Sequence, residues 1–159
     1  MRALIALLLL AGCEQATPVA DTPGAQLERA AIARGLVADP QAATLVGRWG
    51  SDTDRLCIVP AGEGFRAGAA VDYGDGQACA ARGSARRQGG GLRFDFGDCG
   101  FDATFDGERI AFPATLPSAC ERLCAGRASL AALTAERMSQ SVSEAAALRG
   151  ANGTLLCGG

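Results

Sequence analysis

The chain of 159 residues contains no lysine and no histidine, so all 15 of its basic residues are arginine. Without histidine there is no Ser-His-Asp or Cys-His catalytic set, no CxxCH haem attachment and no His-ligated zinc. Without lysine, Ser129, Ser139, Ser141 and Ser143 form no SxxK motif. Gly89-Gly90-Gly91 likewise lacks the lysine of a phosphate-cradling loop. Asparagine, tryptophan and tyrosine occur once each, at Asn152, Trp49 and Tyr73. Aspartate and glutamate total 17, a formal charge of −2, and this near-neutral balance argues against a dedicated nucleic-acid binder. What the chain does have is alanine, 22 glycines and seven cysteines. Its length fits one domain.

The amino end reads as an address. Arg2 supplies a positive charge, residues 3–10 are apolar, and small residues follow at Ala11 and Gly12. Eight apolar residues fall far short of the roughly 20 that span a bilayer, and the pattern is that of a secretory signal over residues 1–12. Leu10-Ala11-Gly12-Cys13 resembles the lipobox of bacterial lipoproteins. The resemblance covers the first 13 residues and implies cleavage before Cys13, a diacylglyceryl thioether on its sulfur and an acyl chain such as palmitate on its amine. Two or more chains anchor a protein stably to a lipid bilayer. Glu14, where an aspartate would imply inner-membrane retention, favours the periplasmic face of the outer membrane. Residues 13–24 are polar with two prolines, the composition of a flexible tether.

Lipidation of Cys13 leaves Cys57, Cys79, Cys99, Cys120, Cys124 and Cys157. An even number in an exported chain suggests three disulfides rather than a metal or redox site. Cys120 and Cys124, four apart on a helix, would hold their Cβ atoms about 5–6 Å apart, too far for a bridge, so each is expected to pair elsewhere. Six cysteines allow 15 pairings. The nearest-neighbour choice is Cys57–Cys79, Cys99–Cys120 and Cys124–Cys157.

Residues 25–159 read as a single disulfide-rich domain of α+β class. A helix is expected over 25–38, stopped by Asp39-Pro40. Residues 45–114 carry seven short alternating strands with Gly-rich or Asp-Gly turns, among them Asp75-Gly76 and Asp106-Gly107. The apolar face is small on the fourth strand (Cys79, Ala81, Gly83, Ala85) and aromatic on the fifth to seventh, as in a tight antiparallel barrel. Residues 117–159 are expected to be largely helical, with Ser141 capping a helix over 141–149.

Gly47-Arg48-Trp49 opening a meander resembles the G-x-W start of lipocalin-like barrels and of small bacterial protease-inhibitor barrels. In those the tryptophan plugs the barrel floor, and the fold holds a ligand or presents an inhibitor surface. Trp49 reads first as a core residue, with a binding role as the alternative. Arg82, Arg86 and Arg87 lie on one strand and turn and read first as a solvated strand face that discourages edge pairing, with a grip on an acidic partner, lipid phosphate or peptidoglycan carboxylate as the alternative. Asp95, Asp98, Asp102, Asp106 and Glu108 match no calcium-loop spacing and recur at turn positions, with Arg93 placed to neutralise part of the run. No cofactor or metal is implied. The sequence therefore points to a non-enzymatic envelope lipoprotein whose domain binds or inhibits a periplasmic protein. A carrier of a small lipophilic ligand and, less in keeping with the residues, a carboxylate-based hydrolase are the alternatives.

Overall fold

The computed structural model describes residues 22–158, so the signal, lipobox and most of the tether expected over residues 1–24 lie outside the described residues. The chain divides into two compact units between Val37 and Ala38. The first holds helix α1 (Pro23–Ala33), started by Thr22, whose hydroxyl accepts from the Ala25 amide at 3.2 Å. The expected helix ran to residue 38, but the chain leaves it at Arg34 because Gly35 adopts φ +67°, the left-handed stop that glycine favours.

The second unit is a closed antiparallel barrel of eight strands: β1 (Gly47–Gly50), β2 (Asp54–Ala61), β3 (Gly64–Asp72), β4 (Ala78–Gln88), β5 (Gly91–Phe96), β6 (Cys99–Phe105), β7 (Arg109–Ala111) and β8 (Thr134–Ser139). Each strand pairs with its neighbour in sequence, and β8 closes on β1, which removes free sheet edges. The α+β expectation is thus corrected to a mostly β protein. Its eighth strand sits inside the stretch expected to be helical, leaving there only a 3-10 helix (Ser118–Leu123) and α2 (Val142–Ala146). Ser141 does cap α2, accepting from the Glu144 amide.

The seam dictates a glycine. Gly47 has φ +145°, and a Cβ there would lie 2.0 Å from the Ser139 carbonyl oxygen of β8. Pro60 lies within β2, opposite Phe65. Because β1 pairs with β2 only as far as Ile58, Pro60 removes no ladder hydrogen bond on that side.

Side chains alternate across the wall. Leu56 and Ile58, Ala67 and Ala69, Ala81 and Ala85, and Leu92, Phe94 and Phe96 point inward, together with Phe101, Phe105, Ile110 and Ala135. The small residues of β3 and β4 leave room for aromatic rings from β5–β7 and for Trp49. Phe94 packs on Phe112 with ring centroids 5.0 Å apart, and Phe101 on Phe112 at 4.6 Å. The outer wall carries Arg93, Asp95 and Asp102 at mid-strand, the reverse of the polarity that a bilayer-spanning barrel requires. No helix among the described residues is long and apolar enough to cross a membrane.

The disulfides are Cys57–Cys157, Cys79–Cys124 and Cys99–Cys120. Cys99–Cys120 and the separate partners of Cys120 and Cys124 match the sequence reading; Cys57–Cys79 and Cys124–Cys157 are corrected. Strand parity explains why. Cys57 lies on the outer face of β2, whereas Cys79 faces inward two strands away on β4. Cys79 and Cys99 instead hold the β7–β8 connection, whose Phe112, Leu130 and Leu133 close one end of the core. Cys57 holds the tail, which packs on the outside of β2–β3 through Ala145, Leu148 and Leu156.

Candidate functional site

The residues singled out from the sequence do not form one site. Trp49 is fully buried in the barrel, edge-on to Phe105 at 5.8 Å, and its indole nitrogen donates to the Leu45 carbonyl at 3.0 Å. The Arg137 guanidinium of β8 lies over its ring, 4.1 Å from the centroid. Arg137 also donates to the carbonyls of Thr44 (2.8 Å) and Gly107 (2.7 Å), tying the chain before β1 to the β6–β7 turn. Burial pulls its pKa below the usual arginine value, while the nearby Glu108 charge works the other way. Arg137 was not singled out from the sequence, because one arginine at an inward position disguised the strand that carries it.

Arg82, Arg86 and Arg87 diverge. Arg82 and Arg86 point outward from β4, whereas Arg87 lies on the inward parity at the rim. Arg87 donates to the Pro40 carbonyl at 2.7 Å and to that of Ala43, strapping residues 38–46 across the end of the barrel. Its guanidinium sits 5.5 Å from the Phe105 centroid. Arg82 reaches the Gly158 carbonyl of the tail at 3.2 Å. Arg86 pairs with Asp95 on the neighbouring strand. None of the three therefore stands as an uncommitted anchor.

The acidic run is equally engaged. Arg93 bridges Asp95 (3.3 Å) and Asp102 (3.6 Å), the neutralisation across the sheet that the sequence suggested. Asp98 pairs with Arg122 at 2.8 Å. Asp106 accepts from the amides of Glu108 and Arg109, as a turn residue does. Among the described residues, no three acidic or cysteine side chains converge in a way that would hold a metal ion. On the next strand, Arg109 pairs with Glu136 at 2.7 Å; that hydrogen bond, with the Glu136 and Asp106 charges, raises the Arg109 pKa further.

Open concave surfaces line the outside of the described residues. One, of about 600 Å³, is a depression at the β4–β5 and β6–β7 turns, over Leu92 and Phe105. A second of about 450 Å³ lies beneath the β7–β8 connection, along the Cys120 and Cys124 segment. A third of about 590 Å³ lies between the β1–β2 wall and the chain that follows α2, lined by Arg48, Arg55, Glu144, Leu148 and Arg149. Register places Arg48 opposite Cys57 and Arg55 opposite Gly50, so both arginines stand on the outer face as diagonal neighbours.

Comparisons with protein-family models, with curated proteins and with solved structures found nothing that matches this chain.

Proposed function

We propose that the protein is a lipid-anchored envelope lipoprotein whose barrel is a non-enzymatic module that binds or inhibits a periplasmic protein through its outer surface. The observation that carries this reading is a barrel whose interior is filled by its own side chains and held by three disulfides. Away from the rims, where Pro60, Phe65 and Arg87 stand, the interior apolar side chains from β2 through β6 are at most 5% exposed, and the β7–β8 connection and the 38–46 strap cover the two ends. That arrangement favours a surface function over carriage of a lipophilic ligand inside the barrel. Six paired cysteines suit an oxidising compartment outside the cytosol. The lipobox at residues 10–13, read from the sequence, supplies the membrane address and the bilayer contact.

The test is cross-linking of the full chain, made with its own leader, in intact cells, followed by purification and identification of attached proteins. One recurrent periplasmic partner is expected, with a change in its activity if it is a hydrolase. A protein that cross-links to nothing and changes no envelope hydrolase would refute the reading.

A further inference from the structure

Several arginines are already neutralised. Arg86, Arg93 and Arg109 on the barrel wall and Arg122 on the 3-10 helix each have a carboxylate partner, and Arg66 and Arg82 reach backbone carbonyls of the tail. The groove beside β1–β2 departs from this pattern. Arg48 and Arg55 are half-buried on its floor and, among the described residues, have neither an ion pair nor a side-chain hydrogen bond. Arg149 faces them from the segment after α2 and uses one nitrogen on the Gly153 carbonyl at 2.6 Å, which fixes its position and leaves the other donors of its fork. One carboxylate, Glu144, lines the groove and makes no ion pair there. Leu148, Ala147 and Ala151 supply apolar lining between the charges. The disulfide Cys57–Cys157 fixes the tail against the wall on which these arginines stand.

We propose that this groove binds a short acidic segment of a partner protein, with Arg48, Arg55 and Arg149 taking its carboxylates. A guanidinium fork matches a planar carboxylate with two parallel hydrogen bonds, and partial burial strengthens those of Arg48 and Arg55. Charge counting favours a peptide over an anionic membrane surface. Recognition of such a surface uses clusters of about four to eight basic residues. Here three guanidinia are opposed by Glu144, on a chain whose formal charge is −2. The proposal rests on the protein-binding reading above and supplies its contact surface.

The test is fluorescence anisotropy of labelled hexaglutamate titrated with the full chain, purified in a neutral detergent at low salt. Saturable binding is expected. R48Q/R55Q should weaken it by at least about tenfold, the loss of one charge-assisted hydrogen-bonded contact or more. R82Q, outside the groove, should leave it within about twofold, and E144Q should tighten it by about two- to threefold. Equal binding by wild type and R48Q/R55Q, an equal loss in R82Q, or no saturable binding would overturn the proposal. Displacement of hexaglutamate by inorganic phosphate at matched charge would overturn it too, assigning the groove to phosphate. Urea midpoints check that the variants fold; should R48Q/R55Q not fold, E144Q decides, tightening in support and no change against. The titration needs no natural partner. It therefore fails or succeeds independently of the cross-linking experiment, and its failure would leave the other faces of the barrel to a captured partner.

Discussion

Replacing Cys57 and Cys157 together by alanine removes the bridge that encloses the other two, since Cys79–Cys124 lies within its loop and Cys99–Cys120 within that. The direct loop spans 100 residues, for which loop-closure entropy is worth about 4.7 kcal/mol. With the inner bridges intact the ring shortens to about 55 residues, because the path crosses from Cys79 to Cys124, and the value falls to about 4.2 kcal/mol. Both sulfurs are buried beside Val59, Ala70, Leu148 and Leu156, so two alanines also leave a small void, for an expected total of about 4–5 kcal/mol. Against a typical domain stability of about 5–15 kcal/mol this is a large share. Urea unfolding followed by Trp49 fluorescence reads it well, since the single indole is fully buried inside the barrel. One transition is expected, at a lower midpoint, coincident by circular dichroism. A loss below about 1 kcal/mol would refute the entropy argument. An early transition that leaves Trp49 fluorescence unchanged would refute the view that the tail unfolds together with the barrel on which it packs.

Arg137→Ala gives up the stacking on Trp49 and two charge-assisted hydrogen bonds, an expected cost of about 3–5 kcal/mol, of which Arg137→Lys recovers less than half; thermal unfolding measures both. Gly47→Ala drives a methyl into the Ser139 carbonyl at the seam and is expected to cost about 3 kcal/mol or more, whereas Gly90→Ala meets open space and is expected to stay within about 0.5 kcal/mol by the same measurement. Phe94→Ala, at the centre of the aromatic cluster, is expected to cost about 3–5 kcal/mol in urea unfolding. Cys13→Ser is expected to lack the mass of the acyl groups that wild type carries, as read by intact mass; processed forms that differ only by the exchange of sulfur for oxygen would refute lipidation.

The barrel was legible where alternation was clean. From β3 to β6, inward alanines and phenylalanines alternate with arginine, aspartate and glycine, and Asp75-Gly76 does form the tight turn, with φ +52° and +75°. β8 was hidden because its inward positions hold Ala135 and Arg137 in place of two large apolar residues, so no period-two signal stands out. Its identity comes from pairing with β1, a contact between residues almost 90 positions apart that no local window contains. The disulfide pairing failed for a related reason. Separation along the chain is a poor guide where strand parity and the wrapping of the tail decide which sulfurs meet. Trp49 was recognised as a core residue, yet the guanidinium over it was not, since that pair is made only when the barrel closes. The arginines read as a cluster on β4 separated for the simplest reason: neighbours in a strand face opposite ways, so Arg86 pairs across the outer wall while Arg87 clamps the strap at the rim.

Export of the barrel and oxidation of its six cysteines are read together by alkylating acid-quenched protein from intact cells before and after reduction, with peptide mass mapping. Cys57, Cys79, Cys99, Cys120, Cys124 and Cys157 are expected to be unmodified before reduction and fully modified after it. Alkylation of these six cysteines in the unreduced protein would contradict both the staples and the compartment inferred from them.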